Sequence, residues 1–430
     1  MMKTTNKNIN DFIGNFPSKT FADGKCHLIG AFGNVGVVET NDGLLVFDLA
    51  IKQYHRRIFK ALREFSDKQI KYIIYSHGHF DHCFGYSSIF EEIKKNGWEM
   101  PQVIAHENVL RRFDKYRMLD KYHAWLNKNQ FASIGAKKRP LVSAQETLNP
   151  TIIIHGNENY NFKFGGITFE LYHDKGETDD SLWMYFREKK TKIIFTGDLV
   201  INPTFPNVGN PNKVQRYPKQ WALAMEKMLG KNADYILPGH GSLIEGKDNV
   251  KETLLIRAEV MHFVHDEVVK RMNEGKWFEQ IFHEMVEIYP DRFKNHKMIR
   301  PLYGCYRFAI HAVYRLYHGW YDTGNPTDLF PAKSEDIAKE FLKINNETRY
   351  LEHAKKLFSQ NKLQLALHIL DIIIKGSNAK KKEILIEAYT LKSTILAKKA
   401  KKEPSFIAKN SIMNGIEYIK TKINELKKLI

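Results

Sequence analysis

Three histidines and one aspartate are crowded into six consecutive positions of the chain, at His77, His79, Asp81 and His82. Neutral imidazole and carboxylate are the groups that bind zinc-like divalent ions in proteins, and two ions could share four of them. A histidine-rich polar surface loop is the alternative, but groups packed so closely would repel one another on protonation and add nothing to packing. The segment therefore predicts a metal centre.

The apolar run Ile73-Ile74-Tyr75 comes directly before these residues and predicts a strand that ends where the histidines begin. Such a strand would deliver all four side chains into one loop at the edge of a sheet. Further short β-type runs alternate with helical patterns over the first 250 residues, and Asn41-Asp42-Gly43 between two apolar runs predicts a hairpin. Polar residues on strand-end loops are typical of a rigid scaffold that positions functional groups.

The spacing HxHxDH resembles the signature of the metallo-β-lactamase superfamily, and four later or earlier positions resemble its remaining elements in the right order. An aspartate closes an early strand at Asp48. The turn that usually carries a histidine here reads Lys-Gly-Glu-Thr-Asp-Asp-Ser and contains Glu177. Two later strands end near Asp198 and His240. The resemblance implies the αββα sandwich fold of the superfamily.

A second stretch narrows the resemblance. Residues 319–331 contain the runs Gly-Trp-Tyr-Asp, Gly-Asn-Pro and Leu-Phe-Pro, which is similar to the dimerisation domain of the alkylsulfatase branch. The likeness extends from about Trp277 to Tyr418, and Glu177 fits the same branch, while Asp198 stands where that branch usually has glutamate. We expect no sterol-carrier-like C-terminal domain, in contrast to the best-known members.

This resemblance implies two zinc ions per chain and assigns their ligands. Three residues would hold each ion and a seventh would bridge them: His77, His79 and Glu177 for the first ion, Asp81, His82 and His240 for the second, and Asp198 between the two. A hydroxide shared by the ions would attack the substrate, because two nearby divalent ions lower the pKa of a bridging water. Asp81 would be the catalytic residue that orients this hydroxide and relays a proton.

The formal charge of this centre favours one class of substrate. Two divalent ions against the carboxylates of Asp81, Glu177 and Asp198 leave a single positive charge, which the hydroxide cancels. A neutral centre should accept a monoanionic sulfate ester better than a dianionic phosphomonoester. The sequence therefore predicts an alkylsulfatase-like hydrolase whose substrate is a small or medium anionic ester.

Candidates for binding the anion follow Asp198 in the chain. Arg216 corresponds in order to an arginine that binds sulfate oxygens in the alkylsulfatase branch, and a planar guanidinium suits bidentate recognition of oxygens. A surface arginine ahead of a helix is the alternative. Asn207 is a second candidate for substrate binding. His173, four residues before Glu177, is predicted to support the site from a strand end rather than to bind metal.

The 430 residues carry 66 lysines and arginines against 49 acidic residues, which gives a net charge of +17. Much of the excess is lysine late in the chain, without interleaved aromatic residues, so a solvated helix surface is favoured over nucleic-acid binding, which stays possible. The chain has only three cysteines and no apolar stretch long enough to span a membrane. We expect no secretory signal, because no apolar run follows the basic residues at the start of the sequence. We expect a cytoplasmic protein without membrane contact.

Two architectures meet near residue 250. We expect an α/β metallo-β-lactamase sandwich as the catalytic domain in residues 1–250 and an all-α dimerisation domain of paired helices in residues 251–430. The second region is rich in aromatic side chains such as Trp277, Tyr317 and Trp320. A two-fold contact is the commonest way to bury such a face, so we expect a homodimer. Packing of these aromatics onto the catalytic half is the alternative.

Three alternatives to a sulfatase remain open at this point. The same metal chemistry could serve a β-lactam, thioester or RNA phosphodiester hydrolase, although the motifs of an added RNA-processing domain are not found. A non-catalytic metal-binding scaffold is the second alternative, but every expected ligand position holds a competent side chain. A di-iron redox site is the third, but His79 stands where that branch prefers glutamate.

Overall fold

The computed structural model describes residues 14–131, 147–214, 216–378 and 380–428. The chain forms two compact units. Among the described residues, the first unit comprises the parts of the chain before residue 127 and between residues 147 and 322, and the second comprises residues 127–131 and the chain from residue 323 onward. The division of domains at residue 250 stays a prediction.

The first unit contains a seven-stranded sheet with its strands in chain order. These strands are β1 Lys19–Phe21, β2 Cys26–Ile29, β3 Val35–Thr40, β4 Gly43–Phe47, β5 Ile70–Ile74, β6 Gln102–His106 and β7 Ile152–Ile154. Neighbours from β1 to β4 are antiparallel, and neighbours from β4 to β7 are parallel. The predicted hairpin is confirmed, since Thr40 pairs with Gly43 across the turn.

A second sheet of six strands belongs to the same unit and has the order β13-β12-β11-β10-β9-β8. Its strands are β8 Tyr160–Phe164, β9 Ile167–His173, β10 Leu182–Glu188, β11 Thr191–Ile201, β12 Tyr235–His240 and β13 Ile244–Glu245. All neighbours are antiparallel except β11 and β12, which are parallel. Their carboxyl ends therefore meet at one edge of the sheet.

Apolar side chains from both sheets form one buried core, so the sheets pack face to face. Phe47 and Ile74 of the first sheet share a buried cluster with Leu171, Phe186 and Phe195 of the second. The ring of Phe195 lies 5.7 Å from that of Phe47 and 5.4 Å from that of Phe186. Each buried side chain of this size contributes about 1.5–3 kcal/mol to stability.

Helices connect the strands, and one of them packs on the second sheet. They are α1 His55–Phe65, α2 Phe80–Cys83, α3 Ser87–Asn96, α4 Asn108–Met118 and α5 Asp120–Gln130 in the first half, and α6 Pro218–Gly230 between β11 and β12. Trp221 and Met225 of α6 pack with Trp183 and Ile194 of the second sheet in a buried cluster. The predicted mixed α/β sandwich is confirmed.

Four helices after the second sheet also belong to the first unit: α7 Lys247–Asn273, α8 Phe278–Ile288, α9 Asp291–Lys294 and α10 Tyr306–Tyr317. Val260, Met285 and Tyr314 join the same buried cluster as Trp221. Some of the aromatic side chains after residue 250 therefore pack onto the sandwich. This packing is the alternative that the sequence analysis gave to a dimer interface. Tyr314 is buried in this cluster, and Tyr303 is buried as well.

The second unit is helical, with α11 Ser334–Ile344, α12 Glu347–Ser359, α13 Leu363–Gly376, α14 Lys382–Lys402 and α15 Phe406–Lys427. Leu351, Ala354, Leu367, Leu370 and Ile395 form its buried cluster. The prediction of an all-helical C-terminal region is confirmed. Within the described parts of the chain, no helix has both the length and the apolar character needed to cross a membrane.

Candidate active site

The loop after β5 carries the first four predicted ligands. His77 and His79 lie on the loop, and the short helix α2 directly after them holds Asp81 and His82. The backbone amide of His82 donates to the carbonyl oxygen of His79 at 3.0 Å, which closes the segment into one turn. His77 and His82 are buried, whereas His79 and Asp81 are partly exposed. One side of this turn is therefore buried, and the other side is accessible to solvent.

The other three predicted ligands lie on the second sheet. Glu177 is on the loop between β9 and β10, Asp198 is within β11, and His240 ends β12. The parallel pairing of β11 and β12 brings the last two to one edge of the sheet. The register of this pair shifts on both sides of Gly197, directly before the aspartate. Such a bulge re-aims the side chain that follows it.

Gly197 is required by this arrangement. Its φ is +51°, and a Cβ at this position would lie 2.3 Å from the Cβ of Ser76. Glycine alone accepts both the backbone conformation and the close approach. The strand can therefore pass directly beside the histidine loop and place Asp198 among the histidines.

The seven predicted ligand side chains come together in three overlapping groups. In each group the donor atoms lie within 4.8 Å of one another: His77, His82 and Asp198; Asp81, His82 and His240; and His79, Glu177 and Asp198. Nε2 of His82 is 3.3 Å from Oδ1 of Asp198, and Nε2 of His240 is 3.5 Å from Oδ2 of Asp81. Nitrogen and carboxylate donors so arranged can hold divalent ions.

Several buried atoms of this cluster have no hydrogen-bond partner among the described residues. They are Nε2 of His82, Oε2 of Glu177 and Oδ1 of Asp198. Buried polar atoms are normally satisfied, so each of these needs an explanation such as an ion or a water. Imidazole nitrogen and carboxylate oxygen are the donor types of zinc sites. The residues present therefore fit a zinc-like ion.

Asp48 supports the cluster from the side away from these donors. Its Oδ2 accepts hydrogen bonds from Nδ1 of His82 at 2.8 Å and from Oγ of Ser76 at 2.7 Å. Its Oδ1 accepts the backbone amide of Ser76 at 2.6 Å. Metal-binding histidines typically donate their second ring nitrogen to a carboxylate in this way. Asp48 thus fixes the ring orientation of His82.

Burial sets the protonation of the cluster. It lowers the pKa of His77 to about 4 and that of His79 well below its usual value, so both rings are neutral at pH 7. Neutral imidazole is the form that binds metal. Burial alone would raise the pKa of Asp198, but the positive charges of His240 and His82 outweigh it and hold this pKa low. Neighbouring aspartates in turn raise the pKa of both of these histidines, against the effect of burial. Burial raises the pKa of Glu177 to about 7.

The two predicted substrate-binding residues both contact Glu177. Nδ2 of Asn207 donates to Oε1 of Glu177 at 2.8 Å, and Nη1 of Arg216 forms an ion pair with the same oxygen. Arg216 is only 4% exposed, so the alternative of a surface arginine is wrong. Both side chains lie at the ligand cluster, and their contact with a substrate stays a prediction.

Arg112 and Asp180 tie the two ligand loops together. Nε of Arg112 donates to Oδ2 of Asp180 at 2.8 Å, and its Nη2 donates to Oδ1 of Asp179 at 2.6 Å. Oδ2 of Asp180 also accepts the backbone amide of Gly78, between the first two histidines, at 3.0 Å. The paired aspartates after Glu177 were visible in the sequence. Nothing around Arg112 marked it, because its partner is 68 residues away.

His173 lies at the end of β9 and supports the loop that carries Glu177. Its Nε2 is within hydrogen-bond distance, 2.9 Å, of the carbonyl oxygen of Asp179. Its ring stacks on that of His106 with the centroids 3.9 Å apart. His173 belongs to none of the three ligand groups. These contacts agree with the predicted supporting role.

Comparison with known proteins identifies two regions. The metallo-beta-lactamase superfamily model matches residues 28–240, and the alkyl sulfatase dimerisation model matches residues 278–422. A linear primary-alkylsulfatase from a Pseudomonas strain is 23% identical over 321 residues, which is 72% of this chain and 60% of that protein. An (R)-specific secondary-alkylsulfatase from Pseudomonas sp. is 23% identical over 329 residues, which is 72% of this chain and 49% of that protein.

A solved structure agrees with these matches. The stereoselective inverting sec-alkylsulfatase of Pseudomonas sp. has a TM-score of 0.79 over 94% of this chain and 65% of that chain, at 19% identity, which shows a shared fold. The chain therefore carries a metallo-beta-lactamase domain followed by an alkyl sulfatase dimerisation domain. It is a homologue of the linear and secondary alkylsulfatases. It spans about half to three fifths of the length of these curated relatives.

Proposed function

We propose that the chain is a dinuclear zinc-dependent hydrolase that cleaves a small or medium sulfate ester. The observation that carries this proposal is the convergence of seven imidazole and carboxylate side chains in three overlapping groups. The names of the homologues, linear primary- and secondary-alkylsulfatase, support the sulfate ester as the reacting group. The charge count of the cluster favours the same monoanionic ester.

The seven side chains would divide between two ions: His77, His79 and Glu177 on the first, Asp81, His82 and His240 on the second, and Asp198 on both. The second set coincides with one of the three groups, and Asp198 belongs to the other two, as a shared ligand should. When bound, such a pair of ions supplies a hydroxide at neutral pH and attracts the oxygens of the ester.

Three side chains would act on the substrate or the attacking water. Asp81 is partly exposed at the accessible side of the cluster, where its carboxylate can orient the water and take up its proton. Arg216 and Asn207 would bind the sulfate oxygens. Nε of Arg216 is buried and has no hydrogen-bond partner among the described residues, so this donor is available to an oxygen of the ester.

A turnover panel on metal-analysed protein tests this function. Zinc-loaded protein is offered a short alkyl sulfate, a phosphomonoester, a thioester and a β-lactam. We expect hydrolysis of the sulfate ester, and a preference for it over the phosphomonoester. If only another substrate of the panel is hydrolysed, the proposed sulfatase reaction is wrong.

The homodimer is a separate proposal. The match to the alkyl sulfatase dimerisation model over residues 278–422 supports it. Tyr317, Trp320 and Phe330 are 57%, 68% and 87% exposed, although side chains of this kind are the usual anchors of protein interfaces. We propose that such residues after position 250 contact a second copy of the chain.

A further inference from the structure

A cavity of about 390 Å³ opens beside the ligand cluster, and His79, Glu177 and Arg216 help to line it. One wall is a stripe along α4 and α5 whose residues recur at helical spacing: Arg112, Lys115, Tyr116, Leu119, His123 and Leu126. Another wall is the segment 211–214. The volume suits a small ligand. A substrate that reacts at the cluster would place its leaving group in this cavity.

The lining of the cavity is strongly cationic. Arg112, Lys115, Lys213 and Arg216 contribute to it, while Glu177 is the single carboxylate among the described lining residues. The two arginines pair with carboxylates of the Glu177 loop. Lys115 and Lys213 bring two further positive charges to the lining.

The surroundings disfavour the charge on both lysines. Burial, followed by the charge of Arg112, lowers the pKa of Lys115. Burial, followed by the charge of Arg216, lowers the pKa of Lys213 to about 8. Nearby carboxylates act in the opposite direction, Asp179 on Lys115 and both Asp81 and Glu177 on Lys213, but the pKa of each lysine is lowered on balance. An anion bound in the cavity would favour the charged form of both lysines.

His123 adds an unsatisfied polar group to the same wall. Both of its ring nitrogens are buried and have no hydrogen-bond partner among the described residues. Burial, followed by the charges of Lys213 and Lys115, lowers its pKa to about 4, so the ring is neutral at pH 7 and offers one N–H. A plain alkyl chain in the cavity would leave these groups desolvated without partners, which costs free energy.

We propose that the cavity binds a sulfate ester whose leaving group carries a second anionic group, such as a carboxylate. Lys115 and Lys213 would donate hydrogen bonds to this second anion, with His123 as a further donor. Leu119 and Leu126 would contact the carbon chain between the two charged ends. The proposal rests on the proposed function for the identity of the reacting end.

Calorimetric titration of the zinc-loaded protein tests the proposal with two probes that cannot be cleaved. One is an alkanesulfonate. The other is the same alkanesulfonate with a carboxylate at the far end of its chain, and each probe is used in a short and a medium length. A sulfonate resembles a sulfate ester but lacks the bridging oxygen. We expect the carboxylated probe to bind about 10-fold more tightly at one length or both. Equal or weaker binding at both lengths would overturn the proposal.

Variants of the two lysines show whether the preference arises in this cavity. Lys115→Met and Lys213→Met should each reduce it several-fold, and the double variant should abolish it, because methionine keeps most of the side-chain length without the charge. Lys121→Met is the matched control, since Lys121 is an exposed lysine of α5 that does not line the cavity. If the double variant still binds the carboxylated probe with the full preference, the two lysines do not form the second anion site.

Hydrolysis of the corresponding sulfate esters separates this proposal from the proposed function. Preferential, lysine-dependent binding without sulfate release from either ester would overturn the sulfatase activity and support the second anion site. If both esters release sulfate with equal efficiency and both probes bind equally, the sulfatase activity is supported and the second anion site is overturned.

Discussion

Nδ1 of His82 donates a hydrogen bond to Oδ2 of Asp48 at 2.8 Å, so the ring nitrogen that faces the other ligand side chains is Nε2. Both residues are almost completely buried, at 0% and 1% exposure. Asp48 is itself fixed by two hydrogen bonds from Ser76, the residue that precedes the histidine segment. The residue that follows β4 thus fixes the ring orientation of a ligand on helix α2.

Removing this carboxylate should weaken zinc binding without removing a ligand. We expect Asp48→Ala to lower zinc affinity about 10- to 100-fold, because His82 loses the partner that holds its ring. Competition with a chelator measures the affinity. Asp67→Ala, at an exposed aspartate away from the cluster, is the control and should behave as wild type. Equal affinities in the two variants would show that Asp48 does not orient the ligand.

Glu177 should determine both metal affinity and substrate charge. Glu177→Gln is expected to weaken zinc binding about 10-fold or more, because a charged oxygen ligand is lost. Glu177→His should retain zinc and shift the preference towards more negatively charged substrates, since the centre gains one positive charge. Metal analysis and the ranking of sulfate against phosphate esters measure these effects. If neither quantity changes in either variant, the carboxylate is merely close to the site.

Arg112 should contribute to stability through its contact with Asp180. Arg112→Met leaves a fully buried carboxylate without its cation, which is expected to lower the free energy of unfolding by about 3 kcal/mol or more. Chemical denaturation measures this change. Adding Asp180→Asn should recover part of the loss, because the buried charge is then removed as well.

An arginine on the same helix provides the control for that substitution. Arg117 pairs with Asp114 at the surface, where the two side chains are 38% and 72% exposed. Arg117→Met should therefore cost no more than about 1 kcal/mol. Equal effects of the two substitutions would contradict the role given to Arg112.

The exposed aromatic side chains predict that the chain forms a homodimer. We expect light scattering at micromolar concentration to give about twice the mass of one chain. A Trp320→Ser/Phe330→Ser variant should shift the distribution towards the monomer, because both side chains are exposed in the single chain. A wild-type mass equal to one chain would contradict the dimer.

Much of the fold and the position of the cluster could be predicted from local sequence. His77, His79, Asp81 and His82 are contiguous, so their spacing alone brings them together. Glu177, Asp198 and His240 are far apart in the chain, and only the resemblance to a known family predicted them as ligands. The prediction that a strand ends near Asp198 is wrong, because β11 continues to Ile201.

Contacts that depend on tertiary packing could not be predicted in the same way. Arg112 meets Asp180 because α4 packs beside the Glu177 loop, and no periodicity on the helix indicates this. The aromatic residues of α8 and α10 look alike in sequence whether they cover the sandwich or face solvent. Tyr314 proves buried and Tyr317, three residues later, is 57% exposed.

The release of inorganic sulfate from a short alkyl sulfate tests the central claim most directly. Zinc-loaded protein should release sulfate, chelation should abolish the release, and added zinc should restore it. The His77→Ala/His79→Ala variant should retain about one zinc ion rather than two and release none. Sulfate release that persists after the metal is removed, or in this variant, would contradict the assignment of these seven side chains to a zinc-dependent sulfatase centre.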